Sequence, residues 1–252
     1  MAKETVCVTG ANGFIGSWIV RTLIEKGYTK IHASIYPGSD PTHLLKLPGS
    51  DSKIEIFEAD LLDSNPNWPE RVPVDESSWT DLDFCKSMQK WYPVSKTLAE
   101  KAAWEFSEKH GTNIVTIHPS TCLGPLLQPN LNASCAVLLQ LLQGSTETQE
   151  HYWLGVVHVR DVAKGQVMLF EKPEASGRFL CTNGIYQFSE FAALVSKLFP
   201  EFSIHKFDKE TQPGLTSCHD AAKRLIELGL VFTDVEDAVK ETVQSLREKG
   251  FL

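Results

Sequence analysis

The sequence predicts an α/β fold built around a doubly wound parallel sheet, and three observations support this prediction. A β-branched run at 5–9 is followed by a glycine-spaced turn. Apolar residues then recur at helical spacing from Phe14 to Leu23, and Gly27 suits the end of that helix. Two more strand patterns, at 30–35 and 53–59, alternate with helical stretches, including a short one at 43–47. Such alternation is typical of parallel strands joined by crossover helices.

The remaining elements follow from the same periodicities. Residues 64–83 show neither period and predict a long loop. A strong helix is predicted from about 88 to 110, and Thr233 and Glu236 have capping-box spacing before the last helix. Further helices are predicted at 132–143, 161–171, 189–198, 220–228 and 234–249, and strands at 113–118, 155–159, 178–182 and 204–207. We expect a main lobe over 1–125 and a smaller C-terminal α/β lobe over 126–252.

Composition and charge argue against several classes of protein. The 252 residues are 42% hydrophobic and 22% charged, as in ordinary globular proteins. A net charge of −8 disfavours nucleic acid and anionic membranes as partners. There is no leader pattern and no apolar run near the roughly 18 residues of a membrane span, so we expect a cytoplasmic protein. The six cysteines lack metal-ligand spacing, which predicts reduced thiols and no metal site.

A glycine pattern follows the first predicted strand. Gly10, Gly13 and Gly16 have the spacing G-x-x-G-x-x-G at a strand-to-helix turn. In such a turn the first glycine permits the tight bend, the second lets backbone amides approach a pyrophosphate, and the third allows close packing. The helix N-terminus adds partial positive charge. Because the strand and the helix are both predicted, the pattern indicates a dinucleotide-binding main lobe.

The sequence leaves open which dinucleotide binds. An acidic residue at the end of the second strand would favour NAD, and an arginine would favour NADP. Tyr36 stands there and is neither. Asp60 and Leu61 follow the third predicted strand, where a carboxylate and a backbone amide could meet the adenine.

A tyrosine and a lysine near the start of the strong helix form the second candidate motif. Tyr92 and Lys96 are four residues apart and therefore share a helix face. A neighbouring ammonium group favours the phenolate, which makes the phenol a usable general acid for a carbonyl oxygen that receives hydride. Together with the glycine turn, this pair predicts a cofactor site.

With these motifs the sequence resembles the plant extended short-chain dehydrogenases/reductases of the cinnamoyl-CoA reductase and dihydroflavonol reductase group. The matching segments are VCVTGANGFIGSWIV, the stretch from DESSWTD to YPVSK, HPSTCLGPLLQPNLNAS, GVVHVRDVA and the C-terminal LGLVF…ETVQSLREKGFL. The resemblance implies that Tyr92 relays the proton and that Lys96 binds the nicotinamide ribose. The cofactor-binding residues that it implies are Gly10, Ala11, Asn12, Gly13, Phe14, Ile15, Gly16, Tyr36, Asp60, Leu61, Tyr92, Lys96, Pro119, Ser120, Thr121, Cys122 and Ser134.

The same resemblance implies a function. It implies an NAD(P)H-dependent reductase, with NADP(H) ahead of NAD(H), acting on a phenylpropanoid-like aldehyde, ketone or CoA thioester. The expected partner is this small aromatic carbonyl compound, and the expected oligomeric state is a monomer or a homodimer. The motif around Tyr92 differs from the Asn-Trp-Tyr-Cys-Tyr of cinnamoyl-CoA reductases, so a related aromatic aldehyde or ketone is an equal expectation.

One departure from the family pattern concerns length. Only 32 positions separate Asp60 from Tyr92, whereas a βαβ unit takes roughly 30 residues or more. Two central strands of the sheet, and the serine that the family carries at the end of one of them, therefore have no counterpart. We expect the seam of an internal deletion between Asp63 and Asn65. Either the strand ending at His118 moves in beside the first strand, or the first strand keeps an open edge and the domain is marginally stable and prone to aggregation. The alternative function is a catalytically silent isoform that binds dinucleotide or a full-length partner.

Overall fold

A computed structural model describes residues 5–58, 76–77, 79–146, 153–207 and 221–252. The strands are β1 (Val6–Val8), β2 (Ile31–Ile35), β3 (Ile54–Glu58), β4 (Val115–Pro119), β5 (Thr121–Leu123), β6 (Trp153–His158), β7 (Gly177–Cys181) and β8 (Ile185–Gln187). The helices are α1 (Phe14–Glu25), α2 (Thr42–Leu45), α3 (Leu82–Ser87), α4 (Trp91–His110), α5 (Ala133–Leu142), α6 (Val159–Glu171), α7 (Phe188–Leu198), α8 (Lys223–Glu227) and α9 (Val235–Glu248). Within these ranges no helix combines the length and apolar composition that crossing a membrane requires.

The strands form three short sheets. One has the order β1-β2-β3, all parallel. The second joins β4 to β7 in parallel, from Val115 opposite Gly177 to Pro119 opposite Cys181. In the third, β6 pairs in parallel with β5 and antiparallel with β8. This arrangement of parallel strands and crossover helices confirms the predicted α/β class.

The first strand has one strand partner in the described part of the chain. Among the described residues β1 pairs with β2 alone, and β4 pairs with β7 rather than with β1. The sequence allowed two arrangements of the strand that ends at His118. In the structure this strand does not pair with the first strand.

The core runs through both predicted lobes. Helix α1 buries Trp18, Ile19 and Leu23 and packs mainly on α6. A single cluster of buried apolar side chains extends from Val6 in β1 to Leu246 in α9. The C-terminal helix is thus part of the same core as the glycine turn.

Several predicted boundaries are wrong. The strong helix begins at Trp91 rather than near 88, because Gln89 has a positive φ of 54° and the Lys90 amide donates to Cys85 O at 2.9 Å. Helix α3 begins at Leu82, at the end of the predicted loop, and continues beyond it to Ser87. Most of the remaining loop is outside the described residues. No strand forms at 204–207. Strands β5 and β8, of three residues each, were not predicted.

The predicted capping box of α9 is also wrong. Asp234 is the N-cap and makes no side-chain capping bond. The Thr233 hydroxyl instead donates to Asp161 Oδ1 at 3.1 Å, and the Thr233 amide donates to Asp161 Oδ2 at 2.6 Å. At the start of α7, the Gln187 amide donates to Glu190 Oε2 at 3.2 Å. Local spacing allowed the predicted box of α9, but the buried Asp161 carboxylate competes successfully for Thr233.

Candidate cofactor and active site

The glycine turn between β1 and α1 is shaped by backbone contacts. Gly10 has a φ of +61°, which glycine adopts without a steric cost. The turn closes through the Gly13 amide, which donates to Gly10 O at 3.0 Å. The Ala11 amide donates to Ser34 O at 2.8 Å and ties the turn to β2. The atoms that the turn places next to the start of α1 are therefore backbone atoms rather than side chains.

Gly16 lies against the same turn. A Cβ atom at Gly16 would be 2.1 Å from Gly10 O and 2.9 Å from Ala11 Cα, which no side chain can occupy. At Gly13 a Cβ would be 3.2 Å from Gly10 O. The sequence correctly indicated that Gly16 permits close packing, and the structure shows that its packing partner is the turn itself.

Two helix N-termini border one cavity of about 420 Å³, which we call the cradle cavity. Helix α1 begins here at Gly13, and α5 begins here at Asn132; neither has a side-chain capping bond or an acidic residue in its first turn. Both helix starts thus leave their partial positive charge available to an anion. The lining residues are Thr9, Gly10, Gly13, Phe14, Ile15, Gly16, Ile19, Cys122, Asn132, Ala133, Ser134 and Gln166.

The tyrosine–lysine pair borders a larger cavity of about 1030 Å³, the Tyr–Lys cavity. Ile15 and Gln166 line both cavities, so the two adjoin. Lys96 Nζ lies 5.6 Å from the centre of the Tyr92 ring, and the Tyr92 side chain is 73% exposed. Strand β4 supplies a wall of this cavity through residues that include Pro119. The site thus combines an anion cradle with an accessible phenol and a nearby ammonium group.

The predicted site residues separate into three groups. Those that border one of the two cavities are Gly10, Gly13, Phe14, Ile15, Gly16, Tyr92, Lys96, Pro119, Cys122 and Ser134. Those described but not bordering either cavity are Ala11, Asn12, Tyr36, Ser120 and Thr121. Asp60 and Leu61 lie outside the described residues, as does the predicted seam between Asp63 and Asn65.

The predicted site residues that border neither cavity have other surroundings. Ala11 is fully buried in the turn, and Tyr36 is 56% exposed directly after β2. The Ser120 hydroxyl donates to Thr182 Oγ1 at 2.9 Å, which directs it toward β7 and its following loop. This side-chain contact lies inside the protein, and the predicted contact of Ser120 with the cofactor stays a prediction.

Several residues that border the two cavities were not predicted. Gln166 of α6 lines both cavities, and Asn132 and Ala133 line the cradle cavity at the start of α5. The start of α5 was predicted at 132, one residue early. A search for helix N-termini that face the same anion could therefore have found the start of α5 as well as that of α1. Gln166 carried no local signal, because its role depends on the packing of α6 against α1.

The thiols near the site are not nucleophiles. Burial raises the pKa of Cys122 and of Cys135 to about 12. All cysteines in the described part of the chain are free, namely Cys7, Cys85, Cys122, Cys135 and Cys181. Cys122 therefore contributes shape rather than thiolate chemistry to the cradle cavity.

An anion site built on backbone amides, next to an accessible tyrosine on a helix, suits a dinucleotide held beside a proton donor. These features place the chain among the dinucleotide-dependent oxidoreductases of the α/β class. The chain belongs to the NAD dependent epimerase/dehydratase family, whose model matches residues 6–76 and 68–181. Within this family of NAD(P)-dependent oxidoreductases it is an extended short-chain dehydrogenase/reductase of the cinnamoyl-CoA reductase-like group.

Two relatives and one solved structure illustrate the similarity. The chain is 34% identical to "Cinnamoyl-CoA reductase 1" of Petunia hybrida, with 100% of this chain and 95% of the relative covered. It is 32% identical to "Tetraketide alpha-pyrone reductase 1" of Arabidopsis thaliana, with 100% and 98% covered. The crystal structure of vestitone reductase from alfalfa (Medicago sativa) superposes with a TM-score of 0.84 at 29% identity, covering 99% of this chain and 100% of that one.

These comparisons also bear on the chain's length. The petunia match extends over 316 positions, whereas this chain has 252 residues, so at least 64 positions have no residue here. The family model matches in two segments that meet within 68–76. This interruption lies in the same region between β3 and α4 where the sequence shows too few residues for two strands.

Proposed function

We propose that this chain is a cytoplasmic NAD(P)H-dependent reductase of a small aromatic carbonyl compound. The observation that carries the proposal is the junction of the two cavities at Ile15 and Gln166, because it brings the glycine cradle next to Tyr92 and Lys96. A dinucleotide is long enough to place its pyrophosphate in one cavity and its reactive ring in the other. The glycine positions fit this group, since side chains at Gly13 or Gly16 would crowd the turn.

Each part of the site has a role in this proposal. The amides at the starts of α1 and α5 would hold the pyrophosphate, with Ser134 beside it. Lys96 would bind the nicotinamide ribose, and Pro119 would border the nicotinamide. When bound, the reduced cofactor supplies a hydride for the carbonyl carbon.

Tyr92 completes the reduction on the protein side. Its phenol would give a proton to the carbonyl oxygen, which becomes the hydroxyl of the alcohol product. The Lys96 ammonium group lies 5.6 Å from the centre of the Tyr92 ring, on the same helix. Because the Tyr92 side chain is 73% exposed, solvent water can return the proton.

A second function is favoured by a specific observation. The petunia reductase has at least 64 aligned positions that this chain lacks, and β1 has no second strand partner among the described residues. If a substrate-orienting serine is part of the missing region, the chain would bind dinucleotide without turnover. The alternative function is therefore a catalytically silent dinucleotide binder.

A titration separates the two functions. We expect NADH or NADPH to raise the thermal unfolding temperature of the purified chain, because binding to the folded state alone stabilises it. Cinnamaldehyde, coniferaldehyde and a flavanone then serve as probes of turnover. Stabilisation with turnover supports the reductase, and stabilisation without turnover supports the silent binder. No stabilisation by either dinucleotide would contradict both.

The control for turnover is Tyr92→Phe. We expect it to lower kcat by at least about a hundredfold, because a positioned general acid contributes roughly 10²–10⁴-fold. Dinucleotide affinity should change little, since the hydroxyl is not proposed to hold the cofactor in the ground state. Unchanged turnover would remove Tyr92 from the mechanism.

A further inference from the structure

A buried carboxylate on the tyrosine–lysine helix is bound by an arginine from a neighbouring strand. Glu100 of α4 accepts from Arg178 of β7 at both carboxylate oxygens: Nε donates to Oε1 at 2.8 Å, and a terminal guanidinium nitrogen donates to Oε2 at 3.1 Å. The two side chains are only 9% and 15% exposed. Bidentate pairs of this kind fix the orientation of both partners.

Three more side chains surround the Glu100 carboxylate. The Thr116 hydroxyl donates to Oε1 at 2.9 Å, and His118 Nε2 lies 3.1 Å from the same oxygen. Trp104 Nε1 donates to it at 3.3 Å. Burial alone would raise the pKa of Glu100, but the hydrogen bonds from His118 and Arg178 outweigh it and hold this pKa well below its ordinary range. The group is therefore a stable anion that joins α4 to β4 and β7.

Arg178 extends the connection beyond the helix. Its guanidinium also donates to Glu76 O at 2.8 Å and lies 4.1 Å from the centre of the Trp79 ring. It thus binds the segment that precedes α3 as well as α4. We name the set of Glu100, Arg178, Thr116 and His118 the Glu100 cluster.

The spacing along α4 connects this cluster to the site. Tyr92, Lys96 and Glu100 are four residues apart and therefore lie along one helix face. Glu100 is about 6 Å from Lys96 and about 12 Å from Tyr92 along the helix axis, at 1.5 Å per residue. The buried residues of α4 are few, namely Val94, Ser95 and Thr97. Apolar packing alone would therefore leave the rotation of α4 about its axis weakly fixed.

We propose that Glu100 is a positioning residue, which holds α4 through Arg178 so that Lys96 and Tyr92 border the Tyr–Lys cavity. This inference rests on the proposed function, because it assigns Glu100 a role for the same dinucleotide site. A rotation of about 10–15° displaces a side-chain end about 6 Å from the helix axis by more than 1 Å. Misplacement by about 1 Å can lower a rate by about a hundredfold.

The test compares Glu100→Gln with Val243→Ala. Val243 is fully buried in α9 and borders neither cavity, so its truncation lowers stability without touching the site. For whichever of NADH and NADPH binds the unmodified chain, we expect Glu100→Gln to raise the dissociation constant at least about tenfold. Val243→Ala should change it less than about twofold at a similar loss of thermal stability. Equal changes in both variants would overturn the proposal.

Two further measurements separate positioning from a merely structural role. In a double-mutant cycle with Arg178→Gln, the effects on dinucleotide affinity should be strongly non-additive, because the two residues act as one pair. Additive effects would contradict the proposal that Glu100 and Arg178 act as one pair.

Hydrogen exchange provides a readout that does not need the cofactor. Glu100→Gln should reduce protection selectively at the amides of 94–99, whereas Val243→Ala should not. If the unmodified chain binds neither dinucleotide, the proposed function fails, and the exchange pattern alone decides whether Glu100 holds the helix. Equal loss of protection in the two variants would also overturn the proposal that Glu100 holds α4 in place.

Discussion

At the scale of single residues, Gly16 is the position where the site depends most directly on the absence of a side chain. Gly16→Ala would place a Cβ 2.1 Å from Gly10 O, so the turn must open. We expect a loss of about 1–3 kcal/mol in the free energy of unfolding, the usual range for overpacking. Dinucleotide affinity should fall with it, because the same turn lines the cradle cavity. Urea unfolding and dinucleotide titration measure the two effects.

Gly165→Ala is the matched control for this prediction. Gly165 is helical, and the nearest atoms to a Cβ there would be side-chain ends, those of Ile117 and Leu230 at 3.3 Å and that of Leu225 at 4.0 Å. These ends can move, and alanine favours the helix by up to about 1 kcal/mol. Its effect on unfolding should therefore be small. If Gly16→Ala proved equally mild, the tight-turn explanation would be contradicted.

The residue scale also shows what the sequence could predict. Gly10 and Gly16 follow from local rules, since a turn and the helix after it are short-range features. The common face of Tyr92 and Lys96 follows from helical spacing. The contact of Arg178 with Glu100 joins residues 78 positions apart. No local pattern contains it, because only the pairing of β7 with β4 brings the two together.

At the scale of elements, long periodic segments were predicted well and short ones were not. Helices α1, α5 and α6 lie within two residues of their predicted bounds because each buries a continuous apolar face. The start of α4 was placed too early, because the left-handed Gln89 interrupts a stretch that is helical in composition. The Thr233 hydroxyl donates to Asp161 instead of forming the predicted capping box, so a tertiary contact overrides a local one.

Helix α6 begins with a cap that should respond to pH. His158 is fully buried, and its Nδ1 accepts from the Arg160 amide at 3.0 Å. Burial and the neighbouring Arg160 guanidinium lower the pKa of His158, although Glu241 and Asp161 act in the opposite direction. A lowered pKa means that the folded state favours neutral histidine, so its contribution to stability is present above about pH 6.5 and is lost as the pH falls.

His158→Asn tests this prediction, because asparagine keeps a capping oxygen but does not titrate. We expect the stability advantage of the unmodified chain over the variant to shrink between pH 7.5 and pH 5.5. Urea unfolding at each pH measures this difference. A difference that stays constant over this range would show that His158 does not titrate with folding.

At the scale of the whole molecule, the sequence predicted both the class of fold and the shortage of residues between β3 and α4. It could not predict how the remaining strands would arrange themselves, because strand pairing depends on contacts between residues far apart in the chain. Strand β4 pairs along all five residues with β7. Among the described residues, β4 has no strand partner on its other edge.

The open side of β1 gives the last prediction. The Val6 amide donates to Lys30 O, directly before β2, so by alternation the Cys7 amide faces away from β2, and the Cys7 side chain is exposed. An edge with unpaired backbone groups is a template for strand addition. We therefore expect the chain to self-associate as its concentration rises. Sedimentation velocity under reducing conditions measures this.

Two substitutions at one position separate edge pairing from thiol chemistry. Cys7→Lys places a charge on the open edge and should reduce self-association, because lysine is a residue with which natural proteins protect their edges. Cys7→Ser removes only the thiol and should leave self-association unchanged. Equal relief by both would indicate that oxidation of the exposed thiol, rather than strand pairing, joins the chains. A monomer at every concentration would mean that β1 has no accessible edge, and that the gap between β1 and β4 is closed in solution.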